Sequence, residues 1–376
     1  MNKKIGGPNF SGDGFGKVPK KKKIKKNIFT ELKPSSREDK TTQAKPVPSP
    51  NVKALVKEIG LQERDIAKYY GPRFLEIVNE TGDSGKSKMS FWNNSTTFGW
   101  PSSLQATSNG IGAVDIKSSQ DIFVDDLQLA ASDRISQLPE GETLNVLDLG
   151  SGAGLSTLST ATVVDNLFSQ LGKDPNYSIT GADIVPSFIE KAQAGEYSVY
   201  DIVDGYHELD EAKQIDDSAM EQASKNPKYK KFISQQNSRK ESLNSMLAQR
   251  FLEPTEDNTL KLKPEFLAND SKTKIQYQQV KPFNLKGLEG NYDIVTSFKM
   301  FGAMVDEGKA KMLDEIASKM KKNSYLVSDL FMGETVPGKS NKTPRLNRIV
   351  QKHFDIVPVQ KPGEQAYVSN ALLKKK

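Results

Sequence analysis

From Asn145 to Thr157 the chain reads NVLDLGSGAGLST: an apolar run, an acid at Asp148, and glycines at alternate positions, Gly150, Gly152 and Gly154, with Ser151 between the first two. Glycines let a strand turn sharply into a helix and let a ligand approach bare backbone. A dinucleotide-binding turn spaces its glycines G-x-G-x-x-G and seats a pyrophosphate at the helix N-terminus. Here the spacing is G-x-G-x-G, and a carboxylate just ahead of the turn would repel a pyrophosphate.

That carboxylate suits a ligand with a cationic amino group, which favours S-adenosylmethionine (SAM) over a dinucleotide. The next apolar run, ITGAD, ends at Asp183, followed by Ile184. A carboxylate at a strand end can accept hydrogen bonds from both ribose hydroxyls; the plainer reading is a surface acid ahead of the helix that begins at Pro186. In VKPFNL, residues 280–285, Phe283 could pack on an adenine face and Asn284 pair with its edge, or the two could be core and turn. YDIVTSF, residues 292–298, brings Ser297 to the end that would border the methyl group. The candidate cofactor-binding set is therefore Asp148, Gly150, Ser151, Gly152, Gly154, Asp183, Ile184, Phe283, Asn284 and Ser297. No catalytic base is assignable, because His207 and His353, the two histidines, lie away from every motif. With two histidines and no cysteine, no metal site is expected.

These residues need a scaffold that brings strand ends together. From residue 144 the pattern alternates: strand 144–149, helix 156–171, strand 178–184, helix 186–194, strands 274–280 and 292–298, helix 307–320, strand 324–331, and two closing strands at 353–359 and 365–370. That order predicts an α/β fold with a parallel sheet, crossover helices and an antiparallel close. Ahead of it, residues 51–80 and 122–138 carry helical periodicity. Residues 81–110 read as a polar loop whose Trp92 and Trp100 are packing anchors or part of a lid. The polar stretch 204–250 reads as an inserted helical excursion, followed by a small antiparallel piece that uses 259–262 and 274–280.

Charge is uneven. The chain of 376 residues carries +6, yet residues 1–50 hold 13 Lys and Arg against 4 Asp and Glu, so the rest carries −3. That first segment, with its lysine block Lys20–Lys26 and Gly- and Pro-rich flanks, is expected to stay disordered. It is a solvated tail, or it contacts nucleic acid, acidic lipid or an import receptor. No apolar run approaches the roughly 20 residues needed to span a bilayer, and a cytoplasmic location is expected. The domains are then a basic tail (1–50), an N-terminal helical domain with a joining segment (51–138) and a catalytic domain (139–376) with an insertion at 204–273.

The stretch ADIVPSFIEKAQAGEYSVYDI, residues 182–202, resembles the chemotaxis-receptor glutamate methyltransferases (CheR type). That family carries a KAR-x-G-x-Y signature after its ribose-binding strand, here KAQAGEY, Lys191 to Tyr197. FLEPTEDNTLKLKPEFLAND, KIQYQQVKPFNL and YDIVTSF follow in the family's order, and NNSTTFGWPSS, residues 93–103, is similar to its joining segment. The resemblance implies a Rossmann-like class I methyltransferase sheet with an N-terminal helical segment and an inserted helical or small antiparallel piece, SAM as cofactor, and a protein acceptor docked on the small antiparallel piece. The chain also departs from the family. Gly99-Trp100 follows Thr97-Phe98 where the family has an arginine at its active site. GSGAGLST stands in place of a Ser-Thr-Gly-Glu-Glu run. Ser297, Phe298 and Lys299 replace a Cys-Arg-Asn.

Methyl transfer from SAM is an in-line displacement, for which positioning matters most. A carboxylate acceptor is already ionised at pH 7 and needs no strong base, which agrees with the lack of one here. The expected function is SAM-dependent methyl transfer to a protein side chain, a carboxylate if the family chemistry persists. The alternatives are a degenerate methyltransferase fold acting as a non-catalytic binding module, and a nucleic-acid methyltransferase using the lysine tail for phosphate affinity.

Overall fold

A computed structural model of the chain describes residues 59–70, 104–108, 114–198, 246–255, 259–268, 271–298, 300–301, 304–328, 330, 344–357 and 372–376. The expectations for the 1–50 tail, Trp92, Trp100, the joining segment 93–103, residues 204–245, Lys299 and a strand at 365–370 lie outside these residues.

The elements are α1 (Glu63–Tyr69), a hairpin of β1 (Leu104–Ser108) and β2 (Val114–Ser118), α2 (Ser119–Gln137), β3 (Leu144–Leu149), α3 (Leu155–Gln170), β4 (Tyr177–Asp183), α4 (Pro186–Ala194), β5 (Glu196–Ser198), β6 (Leu252–Pro254), β7 (Thr259–Leu262), β8 (Thr273–Gln279), β9 (Tyr292–Ser297), α5 (Asp306–Lys319), β10 (Met320–Ser328), α6 (Pro344–His353), β11 (Phe354–Ile356) and β12 (Leu372–Lys375). Seven strands form the main sheet in the order β11-β12-β10-β9-β3-β4-β8. The pairs β9–β10, β3–β9, β3–β4 and β4–β8 are parallel, and β12 runs antiparallel to both β10 and β11. β3 is first in sequence among the parallel strands and lies between β4 and β9, so the strand order reverses there. This is a Rossmann-like class I sheet, in which ligands bind outside the carboxyl ends of the strands at the reversal.

Alternation along the strands produces two cores. Val146, Ile179, Ile294 and Val327 face α2 and α3 on one side, with Leu127, Ile135, Leu158 and Phe168. Leu147, Leu149, Val295 and Leu326 face α5 and α6 on the other, with Leu313, Ile316, Leu346 and Val350. Both faces are therefore covered, as a parallel sheet requires.

Three elements differ from the sequence expectation. Residues 104–118, read as loop up to 110, hold the β1–β2 hairpin. α6 had no counterpart in the reading, although Pro344 suits a first helical position and Leu346, Ile349 and Val350 share one face. The small sheet has the order β5-β7-β6: it uses 259–262 as expected, but its partners are 196–198 and 252–254, while the 273–279 strand lies on the edge of the main sheet. The strand at 372–375 lies between β10 and β11.

Candidate functional site

β3 runs into a turn in which Gly150, Gly152 and Gly154 all take positive φ, 76°, 56° and 98°. That region is costly for any residue with a Cβ, so the glycine spacing is a backbone requirement. The turn is tied to the neighbouring strand: the N–H groups of Gly150 and Ser151 donate to the Ala182 carbonyl at 2.8 and 3.2 Å. Gly154 then starts α3, and its carbonyl accepts from Leu158 N–H at 3.0 Å.

Asp183, at the end of β4, reaches into this turn. One carboxylate oxygen accepts from Gly152 N–H at 3.0 Å and the other from Val185 N–H at 2.9 Å. Burial pushes its pKa up to about 6 against the pull of those backbone donors. Asp183 and the glycine turn, paired only by inference in the sequence, are thus in direct contact. Ile184 is half-buried and packs with Ile59, Leu61, Val185 and Phe188.

Asp148 is placed differently from the expectation. It is fully enclosed, and its two oxygens accept from the hydroxyls of Thr157 at 2.9 Å and Thr296 at 2.8 Å. Burial raises its pKa. A direct contact with a ligand's amino group is not open to it in this arrangement; it braces β3, α3 and β9 behind the turn. Thr157 and Thr296 carried no recognisable signal in the sequence.

Phe283 and Asn284 also depart from the ligand-binding reading. Phe283 sits at φ 54° and is buried against Tyr69 and Tyr70, with ring centroids 4.7 and 5.5 Å apart. Asn284 is exposed and its side-chain oxygen accepts from Lys286 N–H at 3.0 Å, an Asx turn. Core and turn, the second of the two readings, describes them. The aromatic that does approach the strand ends is Tyr70, from the end of α1. Burial, and then the neighbouring Asp183 carboxylate, hold its phenol well above the ordinary value. Its segment is fixed by Val305 N–H donating to the Tyr69 carbonyl at 3.1 Å and by Gly308, where a Cβ would lie 2.2 Å from that carbonyl oxygen.

Ser151 and Ser297 are both fully buried, and their hydroxyls have no hydrogen-bond partner among the described residues. They stand at the carboxyl ends of β3 and β9, the two strands that flank the reversal. Met300 lies beside the turn, its Cβ 3.4 Å from where a Cβ on Gly150 would be. The expected set thus divides: Gly150, Ser151, Gly152, Gly154, Asp183, Ile184 and Ser297 gather at one end of the sheet, Asp148 lies behind them, and Phe283 and Asn284 belong to the adjoining loop.

No protein-family model matches the chain, and no curated protein matches it. Among solved structures it is similar to a TehB-like SAM-dependent methyltransferase from Corynebacterium glutamicum, at 12% identity over 66% of this chain and 88% of that one, with a TM-score of 0.31. It is also similar to the magnesium protoporphyrin IX methyltransferase of Synechocystis with bound SAM, at 13% identity over 70% and 85%, TM-score 0.29. A third is PKMT2 from Rickettsia typhi in complex with AdoHcy, at 12% identity over 55% and 25%, TM-score 0.26. At these scores the likeness adds nothing to the site; the fold rests on the strand order. Among the described residues, no helix is long and apolar enough to cross a membrane.

Proposed function

We propose that the chain binds SAM at the turn between β3 and α3 and transfers its methyl group to a protein side chain. The supporting observation is the hydrogen bond from Gly152 N–H to the Asp183 carboxylate. It joins the glycine turn and the strand-end acid into one enclosed bed at the reversal of strand order, where ligands of this architecture bind. The chemistry of the bed fits a ligand that brings hydrogen-bond donors. Asp148 and Asp183 are buried with hydroxyl and backbone donors and no cationic partner among the described residues. The Ser151 and Ser297 hydroxyls supply further polar groups without a protein partner there.

On this reading Asp183 holds the ribose hydroxyls, the Gly150–Gly154 turn the methionine end, and Ile184 borders the base. Bound SAM supplies an electrophilic methyl sulfonium. The chain's own residues position the reactants and keep water out. Tyr70 beside Asp183 is held protonated, which makes it a poor general base. The site therefore suits an acceptor that is ionised without help, such as a carboxylate. The sheet order β5-β7-β6 leaves β5 and β6 each with an outer edge unpaired among the described residues, and such edges can take an extended peptide.

Radiolabelled methyl-SAM incubated with the chain and a protein extract tests this. The expected label sits on protein and is released by mild alkali, as a methyl ester is. Label that survives alkali rules out the carboxylate, and label only on RNA or small molecules rules out a protein acceptor. SAM binding without any transfer would make the chain a non-catalytic binding module.

A further inference from the structure

Two phenols support the glycine turn from beneath. The first arrives through the KAQAGEY segment. Gly195 closes α4 at φ 64°, its N–H donating to Lys191 O at 3.1 Å. A Cβ there would lie 2.9 Å from Leu262 Cβ, so only glycine lets the chain reverse this close to β7. The reversal sends Tyr197 back into the core, where it is 1% exposed. The second phenol is Tyr277 on β8, which lies directly across from Gly181 of β4. A Cβ at position 181 would meet the Tyr277 ring at 2.7 Å and Thr157 Oγ1 at 2.5 Å. The glycine inside β4 thus marks a close approach, the usual meaning of glycine within a strand.

Both phenols converge on Gly154. The Tyr277 hydroxyl donates to the Gly154 carbonyl at 3.3 Å, and the Tyr197 hydroxyl lies beside it. A Cβ on Gly154 would fall 2.8 Å from each of the two phenol oxygens. Thr157, which also packs at Gly181, donates to Asp148 at 2.9 Å. The turn is thus held at its far end by a phenol pair and along its back by the Asp148 brace.

We propose that Tyr197 and Tyr277 are positioning residues: as a buried pair they fix the carbonyl and left-handed backbone of Gly154, and through it the turn that receives the methionine end of SAM. This rests on the SAM reading above. It gives the tyrosine and glycine of KAQAGEY a physical role, one reversing the chain and the other bracing the turn. Neither tyrosine touches the reacting atoms.

The test compares two ligands on the full chain by calorimetry: SAM, and 5′-methylthioadenosine, which lacks the amino and carboxyl groups of methionine. The variants are Tyr277→Phe, Tyr197→Phe and the double variant, each keeping ring volume while removing a hydroxyl. The expected result for Tyr277→Phe is a Kd for SAM raised roughly 3- to 10-fold, the worth of one hydrogen bond, with methylthioadenosine changed less than about 2-fold. The double variant is expected to lose less than the product of the single losses, because both hydroxyls crowd the same Gly154 backbone. Should Tyr277→Phe fail to fold, the double variant carries the comparison, since it leaves no lone hydroxyl buried. Unchanged SAM affinity, or equal losses for both ligands, would overturn the positioning role alone. A wild-type chain that binds neither ligand would overturn the SAM reading and this inference with it.

Discussion

The two ends of the main sheet both bury aspartates, and they stabilise them by different means. At the amino end, Asp293 on β9 is fully buried between Arg134 at 2.7 Å and Lys321 at 2.8 Å, and it also accepts from Asn145 N–H at 3.0 Å. At the carboxyl end, Asp148 and Asp183 are held by hydroxyls and backbone N–H groups, with no cation paired to either among the described residues. A buried acid held by cations of the protein itself is complete; one held by dipoles alone costs stability and keeps acceptor capacity for a ligand's donors. One end is built to hold, the other to receive.

The sharpest break between the two ends comes from two substitutions with opposite effects. Gly152→Val puts a branched side chain at φ 56° in the middle of the bed and is expected to abolish measurable SAM binding while circular dichroism still reports a folded chain. Asp293→Ala leaves a backbone donor and the largely buried Arg134 without their acceptor, a loss on the order of 1–3 kcal/mol. It is expected to lower Tm sharply and leave SAM affinity within about 2-fold at temperatures where the chain is folded. If Asp293→Ala spares stability, or Gly152→Val spares binding, the division between the ends fails.

A smaller effect separates the acids by pH. Burial raises Asp183 from 3.8 to about 6. Within that window the folded chain holds more proton than the unfolded one, so this group's contribution to stability falls as pH rises, by about 3 kcal/mol in all. Asp183→Asn removes the titration. Thermal melts of variant and wild type should lie closest near pH 4, and the difference should shift in the variant's favour up to pH 7. SAM affinity should move the other way, rising through pH 6 as the carboxylate that accepts the ribose hydroxyls ionises. An affinity flat from pH 5 to 8 would remove Asp183 from the ligand.

What could be read from the sequence follows from how local each signal is. The glycine turn needs only its own backbone, and the alternation of strands and helices needs only neighbouring residues, so the parallel core and the Gly150–Asp183 bed were both legible. Phe283 was not, because its burial depends on Tyr69 and Tyr70, more than 200 positions away. Asp148 looked like a ligand contact because nothing local announces that Thr157 and Thr296 will close over it. The Tyr197–Tyr277 pair was hidden for the same reason, although Gly181 inside a strand was a sign of close approach. The β5-β7-β6 sheet was half legible: its middle strand is contiguous, but its partners, 196–198 and 252–254, lie far apart in sequence.

Calorimetric titration of SAM into the full wild-type chain and the Asp183→Ala variant at pH 7.5 tests the central claim most directly. The account predicts one SAM bound per wild-type chain and affinity weakened in the variant by about 1.5–3 kcal/mol, the range for a charged hydrogen-bond partner. The variant's stability should change little, because relief of a buried charge offsets the loss of the carboxylate that accepts from two backbone N–H groups. No binding by the wild type, or equal affinity in both, would contradict it.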